Sequence, residues 1–211
     1  MRLFTTPASP WVRKCLVTAM ELGIDSRIER IPTRWPHTWA THTVDFAPEF
    51  IAATPVGRIP ALVTDDGVHL VDSTAICDYF NAELGGYRLL PASGEKRWKL
   101  QSIISIASGL VEAQVARRAE SLRDPVEKSE DFIEKMRARE HRCYRAIEPL
   151  VPWFEGEADL AQISVAVGCS YCDFRYKEDW RAGNPQLTRW FERFVRRPSM
   201  QATMPGETPQ H

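Results

Sequence analysis

Residues 56–76 form the sequence VGRIPALVTDDGVHLVDSTAI, which holds the strongest structural signals in the chain. Ile59–Thr64 and Val68–Val71 are short runs rich in β-branched residues, and the Asp-Asp-Gly triplet between them predicts a β-hairpin. Asp72 and Ser73 follow at once, and both residue types favour the start of a helix. The segment therefore predicts two antiparallel strands followed by a helix.

The residues before this segment predict a strand, a helix and a second strand. Arg2–Thr6 has the composition of a strand, and Arg27–Ile31 is a second short run that ends at a proline. Between them, apolar residues recur at helical spacing up to Gly23, namely Val12, Leu16, Ala19 and Met20. Residues 33–53 show no clean period and are expected to be irregular and partly helical. The order β-α-β-(α)-β-β-α predicts a small mixed sheet covered by helices.

The chain changes character after residue 84. Residues 85–94 are rich in glycine and proline and predict a linker. Residues 95–211 have helical patterns throughout, and Asp159-Leu160-Ala161-Gln162 matches a capping box at the start of one helix. We therefore expect an α/β domain at 1–84, a linker at 85–94 and an all-α domain at 95–211.

Composition narrows the classes of partner. The 211 residues are 44% hydrophobic and 26% charged, which is typical of a globular protein. The 27 basic and 28 acidic residues give a net charge of −1, so no basic excess favours nucleic acid or an anionic membrane. No apolar run is long enough to span a membrane, the five cysteines form no regular framework, and the histidines show no metal-ligand spacing. We expect a cytoplasmic protein with a small-molecule partner and no metal site.

Three points of the predicted fold can meet at one edge of the sheet. Ser9 precedes the first helix, whose amides and dipole stabilise negative charge. Ile59 stands before Pro60, and in a cis X-Pro bond its backbone can pair with an extended peptide-like ligand. Asp72 and Ser73 place a carboxylate, a hydroxyl and unpaired amides at another helix start.

These motifs resemble those of the cytosolic glutathione transferases. Ser9-Pro10-Trp11 is similar to the serine-type active-site segment of tau and related bacterial members. Val56–Leu62 resembles the family's stretch around a cis-proline, and Asp72–Tyr79 matches its acidic-Ser-x-x-Ile-x-x-Tyr motif. Asp159 begins a capping box that is similar to the one in the family's helical domain. The resemblance implies a thioredoxin-like N-terminal domain (βαβαββα) and an all-helical C-terminal domain.

The resemblance also implies roles for individual residues. Ser9 would donate a hydrogen bond to the sulfur of glutathione, the co-substrate, and favour its thiolate. Ile59 would bind the cysteinyl backbone with Pro60 fixing its geometry, and Asp72 and Ser73 would hold the γ-glutamyl end. Further glutathione-binding candidates are Arg58 and, for the glycine carboxylate, Arg34, His37 and His42. Two roles stay open for four further residues, which either line an electrophile pocket or pack in the core: Trp11, Val111, Gln114 and Tyr144.

The implied activity is attack by the glutathione thiolate on a small hydrophobic electrophile, in a protein that forms a homodimer. Two alternatives stay open. One is a non-catalytic binding or interaction module, because Thr54 and Asp72 replace the commoner Asn and Glu of the family. The other is a glutathione-dependent disulfide reductase, which would require Cys where this chain has Ser9. The electrophile and the reaction type are not predicted by the sequence.

Overall fold

The computed structural model describes residues 1–33, 47–154 and 156–206, and these divide into two compact units. The first unit comprises described residues 1–33, 47–97 and 198–206, and the second comprises residues 98–154 and 156–197. The division falls close to the expected linker at 85–94. It differs from the expected limits at the far end, where residues 198–206 group with the first unit.

The first unit is a four-stranded mixed sheet with helices, in the thioredoxin-like order β-α-β-α-β-β-α. Its elements are β1 (Arg2–Thr5), α1 (Pro10–Leu22), β2 (Glu29–Pro32), α2 (Pro48–Ala53), β3 (Ala61–Val63), β4 (His69–Val71) and α3 (Ser73–Tyr79). The strand order is β2-β1-β3-β4. The β1–β2 pair is parallel, and the other two pairs are antiparallel. The predicted fold class is confirmed.

The second unit is built from helices, as predicted. The remaining helices are α4 (Glu95–Ser121), α5 (Glu130–Ile147), α6 (Leu160–Arg175), α7 (Pro185–Phe194) and α8 (Pro198–Ala202), the last of which belongs to the first unit. A 3-10 segment, Glu148–Trp153, follows α5. None of the described helices combines the length and the apolar composition needed to cross a membrane.

The sheet buries one face against α2. Phe4 and Ala61 are register partners on β1 and β3, so their side chains lie on the same face. They form a buried cluster with Phe50 and Ala53 of α2, and Val63 extends it along β3. The rings of Phe4 and Phe50 pack edge to face with centroids 5.6 Å apart. This cluster fixes the strand register, because a slip of one residue would turn these side chains away from α2.

Local sequence signals set the ends of helices α1 and α6. Helix α1 ends at Gly23, whose φ of 72° suits glycine and whose N–H donates to the carbonyl of Met20. Helix α6 begins after Asp159, whose Oδ1 accepts from the Gln162 amide at 2.8 Å. The Gln162 side-chain nitrogen also donates to Asp159 Oδ2 and to the Glu157 carbonyl. The expected cap by Asp159 is present.

The second unit contains a cluster of ionisable side chains around the buried Arg117. Arg117 Nε lies 3.2 Å from Glu140 Oε1, and Arg117 Nη1 lies 2.8 Å from Glu178 Oε2. The guanidinium carbon also stacks 3.5 Å from the ring centroid of Tyr176. Burial raises the pKa of Glu140 to about 8, although the Arg117 charge opposes the shift. Glu140 is therefore a buried carboxyl that holds its proton near neutral pH.

Glu140→Gln is expected to flatten the pH dependence of stability. The ordinary pKa is 4.5 and the folded value is about 8, so the folded chain binds this proton more tightly than the unfolded chain. The free energy of unfolding therefore falls as pH rises between these two values, and glutamine removes that contribution. Thermal unfolding at about pH 6 and about pH 9 should show a smaller loss for the variant than for the wild type. Glu134→Gln, an exposed change on the same helix, is the control, and equal slopes in all three proteins would contradict the expectation.

Arg13 joins α1 to α8 within the first unit. Its side chain is buried, and burial lowers its pKa to about 10. Nη2 donates to the carbonyl of Met200 at 2.9 Å, and Nε donates to Thr203 Oγ1 at 3.3 Å. Ser199 contacts Glu21 of α1 through its hydroxyl. The last described helix is thus held on α1 by a buried guanidinium.

Arg13→Ala should lower the free energy of unfolding by about 2–3 kcal/mol, because it leaves a cavity and unpaired buried acceptors. Chemical denaturation measures the loss. Arg88→Ala is a matched control, since Arg88 Nη2 also donates to a carbonyl of α1, at 2.7 Å from Glu21 O, but in an exposed setting. The control should lose less than about 1 kcal/mol. A similar loss in both variants would argue against a docking role for Arg13.

Candidate active site

Strand register brings three predicted site segments to one edge of the sheet. Phe4 pairs with Ala61, and Ala61 pairs with Val71. Phe4 is near the carboxyl end of β1, Ala61 is the first residue of β3, and Val71 is the last residue of β4. The Ser9 loop, the Ile59-Pro60 bond and the Asp72-Ser73 pair each adjoin one of these three positions. The sheet therefore presents them side by side.

Ser9 is the N-cap of α1 and is almost fully buried, with 9% of its surface exposed. Its Oγ accepts a hydrogen bond from the Val12 amide at 3.3 Å. Within the described residues, no acceptor receives the hydroxyl proton of Ser9. Pro10 occupies the first helical position, which suits its missing N–H. The hydroxyl therefore retains a donor at the positive end of a 13-residue helix.

The Ile59–Pro60 bond is cis, in agreement with the family resemblance. Ile59 is half-buried, and Pro60 is buried. Neither the amide nor the carbonyl of Ile59 is hydrogen-bonded to the described backbone, since the β3 ladder begins at Ala61. These two groups can pair with an extended backbone in the manner of a strand. Arg58, the other candidate in this loop, has an exposed side chain.

Asp72 caps its own helix. Its Oδ1 accepts from the amides of Thr74 at 2.7 Å and Ala75 at 3.2 Å. Its φ of 135° lies in the region that favours glycine, so the backbone there is strained. Ser73 is buried, and its hydroxyl has no hydrogen-bond partner among the described residues. The pair thus offers one spare carboxylate oxygen, one hydroxyl and the first amide of α3.

Lys14 is a buried cation near this edge that the sequence analysis did not single out. Its Nζ lies 3.1 Å from Thr74 Oγ1 and joins α1 to the first turn of α3. A positive charge in a buried position stabilises anions nearby. In the sequence, the closeness of Lys14 to Ser9 was the one sign that it could lie near the site. The sequence alone did not show that α3 would cover the Lys14 side chain.

The electrophile candidates fall in different settings. Trp11 lies in the first turn of α1 and is half-buried. Val111 and Gln114 lie on α4 in the second unit and are buried, Gln114 completely. The Gln114 amide donates to the hydroxyl of Tyr144 and to the carbonyl of Gly168, both at 3.0 Å. In this conformation neither α4 side chain is open to a substrate, so the pocket assignment stays a prediction.

Arg34, His37 and His42 lie outside the described residues, so the residue for the glycine carboxylate also stays a prediction. Among residues 1–33, 47–154 and 156–206, no group of three His, Cys, Asp or Glu side chains is placed to hold a metal ion. The polar groups at the sheet edge are suited to an anionic, peptide-like ligand.

Known proteins resemble this chain over both units. The family model of the glutathione S-transferase N-terminal domain matches residues 8–83. A glutathione transferase family member from Pseudomonas fluorescens Pf-5, crystallised with bound glutathione, is 33% identical to this chain. The match covers 98% of this chain and 99% of that one, with a TM-score of 0.89. This chain belongs to the glutathione S-transferase family.

Two further relatives match at greater distance. A glutathione S-transferase from Methylobacillus flagellatus KT, solved with glutathione bound, is 26% identical, with coverage of 97% and 99% of the two chains and a TM-score of 0.84. The GST-like protein YibF of Escherichia coli K12, itself described as uncharacterized, is 26% identical over 97% of this chain and 98% of that protein. The similarity thus extends over nearly the full length of each of these relatives.

Asp72→Ala in this glutathione transferase family member should lower the free energy of unfolding by about 1–2 kcal/mol, because the cap of α3 is lost. Asp72→Asn should lose less than half as much, since asparagine keeps the capping oxygen and tolerates positive φ. Urea denaturation of both variants tests the assignment. No loss in Asp72→Ala would show that the Asp72 cap does not stabilise the fold, and equal losses in both variants would show that the asparagine oxygen does not replace the carboxylate.

Proposed function

We propose that this protein is a serine-type glutathione transferase. Glutathione would bind along the sheet edge, and the Ser9 hydroxyl would donate a hydrogen bond to its sulfur. The proposal rests above all on the unused donor of Ser9 at the N-terminus of α1. The Val12 N–H that Ser9 accepts polarises the hydroxyl and strengthens it as a donor. Relatives solved with bound glutathione support the choice of ligand.

The chemical contribution of Ser9 would be to favour the thiolate. A free thiol has a pKa of about 8.5, and lowering it by two units requires about 2.7 kcal/mol of preferential binding to the anion. A hydrogen bond to a charged acceptor together with helix-terminal amides supplies energy of this order. The thiol proton leaves to solvent, and the thiolate then attacks a hydrophobic electrophile.

The other polar groups at the sheet edge would bind the rest of the glutathione molecule. The free amide and carbonyl of Ile59 would pair with the cysteinyl backbone of glutathione. At the γ-glutamyl end, the Ser73 hydroxyl and amide would donate to the carboxylate, and the Asp72 oxygen that is not used for capping would accept from the ammonium. Trp11, half-buried in the first turn of α1, is the described side chain best placed to meet an electrophile near the sulfur.

Family membership also supports two further proposals, one on the oligomeric state and one on the location of the protein. The protein would act as a homodimer, which sedimentation or light scattering would measure. It would work in the cytoplasm, where glutathione is kept reduced.

Ser9→Ala should lower kcat/KM for glutathione and a chlorodinitrobenzene acceptor by roughly 10- to 150-fold, which corresponds to about 1.5–3 kcal/mol for a charge-assisted hydrogen bond. The loss should be largest below the thiol pKa of the wild-type complex. Ser129→Ala is the matched control, because Ser129 caps α5 through the Phe132 amide at 3.2 Å in the same geometry. That variant loses a helix cap and should keep its activity.

Two outcomes separate catalysis from binding. Unchanged turnover in Ser9→Ala would remove Ser9 from the mechanism. A calorimetric titration of the wild type with millimolar glutathione addresses the alternative of a non-catalytic module. Heat of binding without turnover of any tested electrophile would favour that alternative, and no heat at all would overturn the glutathione proposal.

A further inference from the structure

Two cysteines from different helices lie in contact beneath the proposed site. Cys15 of α1 and Cys77 of α3 have their Sγ atoms 3.8 Å apart. Both side chains are completely buried, and both are free thiols. A disulfide requires a separation of about 2.05 Å, so closing the bond needs a movement of about 1.8 Å shared between two side chains. This pair is the product of tertiary packing, because 62 positions separate the residues along the chain.

The surroundings make the two thiols unequal. Cys15 Sγ lies 3.7 Å from the carbonyl oxygen of Ser73, and burial raises the pKa of Cys15 well above its usual range. Burial alone would also raise the pKa of Cys77, but the neighbouring thiol, the Lys14 charge and the Thr18 hydroxyl 3.4 Å away lower it overall. The pair therefore releases its first proton from Cys77, and Cys15 keeps the second.

We propose that Cys15 and Cys77 form an intramolecular disulfide when the protein meets a hydroperoxide, and that this bond weakens ligand binding at the sheet edge above it. The Cys77 thiolate attacks the terminal peroxide oxygen, the O–O bond breaks, and the alkoxide leaves as an alcohol after taking up a proton. Cys77 is then a sulfenic acid. The Cys15 sulfur attacks it, the S–O bond breaks, and water departs with the Cys15 proton. Two thiols lose two electrons, and one hydroperoxide becomes an alcohol and water.

The location of the pair explains how the bond would act on the site. Cys15 lies six positions after Ser9 on the same helix, and Cys77 lies four positions after Ser73. The Lys14–Thr74 contact already joins the same two helix ends. Helix α3 has seven residues and continues directly into a single π-helical turn, Phe80–Leu84. Drawing α3 towards α1 would change the spacing between Ser9 and Ser73.

The other three cysteines provide an internal comparison. Cys169 and Cys172 are buried on α6, where burial raises the pKa of each, to about 12 for Cys172. Cys143 is half-buried, and burial raises its pKa as well. Because the thiolate is the reactive form, these three are expected to stay reduced under conditions that oxidise the Cys15–Cys77 pair.

The test for the bond treats the full chain with hydrogen peroxide, unfolds it in denaturant, alkylates the remaining thiols and maps the peptides by mass spectrometry. We expect two of the five thiols to be protected, a cross-link between the peptides of Cys15 and Cys77, and full reversal by dithiothreitol. Cys77→Ala should abolish the cross-link, and Cys143→Ser should leave it intact. Alkylation of both Cys15 and Cys77 after oxidation, or a cross-link at other cysteines, would overturn the proposal.

The effect on the site is measured separately and rests on the proposed function. Calorimetric titration with glutathione should give an affinity about fivefold or more lower for the oxidised wild type, with no change for peroxide-treated Cys77→Ala. Equal affinities of the reduced and oxidised wild type would overturn the switch even if the disulfide forms. Absence of glutathione binding by the reduced wild type would instead reject the proposed function, while the peptide map would still decide whether the bond exists.

Discussion

The pairing of Phe4 with Ala61, and of Ala61 with Val71, is the constraint on which the rest of the first unit depends. Ala61 begins its strand, Val71 ends its strand and Phe4 is one residue from the end of its strand, so the loops that adjoin these positions meet at the same edge. The register is held by the packing of Phe4 and Ala61 against α2. A shift of one residue would invert every side chain of a strand, and the site would be lost together with the core.

The sequence was most informative where a residue acts on its near neighbours. The Asp159 cap, the end of α1 at Gly23 and the hairpin after Val63 each depend on residues a few positions apart, and all are present. The expected third strand, Ile59–Thr64, is shorter in the structure and begins at Ala61. Pro60 has no N–H to donate to a strand ladder, which agrees with this later start.

Sequence reasoning was weakest where burial depends on distant partners. Leu16 and Met20 recur at helical spacing with Val12 and Ala19, but both are only half-buried. Arg13 and Lys14 are buried instead, because α8 covers the first and α3 covers the second. The same limit applies to Gln114, whose buried side-chain nitrogen donates to groups on α5 and α6. No local sequence pattern predicts contacts between residues so far apart in the chain.

The contacts of the Arg13 guanidinium with α8 affect the order in which the first unit packs during synthesis. The first unit is completed only by α8, at positions 198–202, so it is discontinuous along the chain. During synthesis the sheet and its helices leave the ribosome long before α8, and until then the buried side of Arg13 is exposed to water. The sheet unit would therefore reach its final packing after the helical unit has emerged, although its sequence comes first. A fragment that ends at residue 97 would therefore lack α8 and resemble this incompletely packed unit rather than an independent domain.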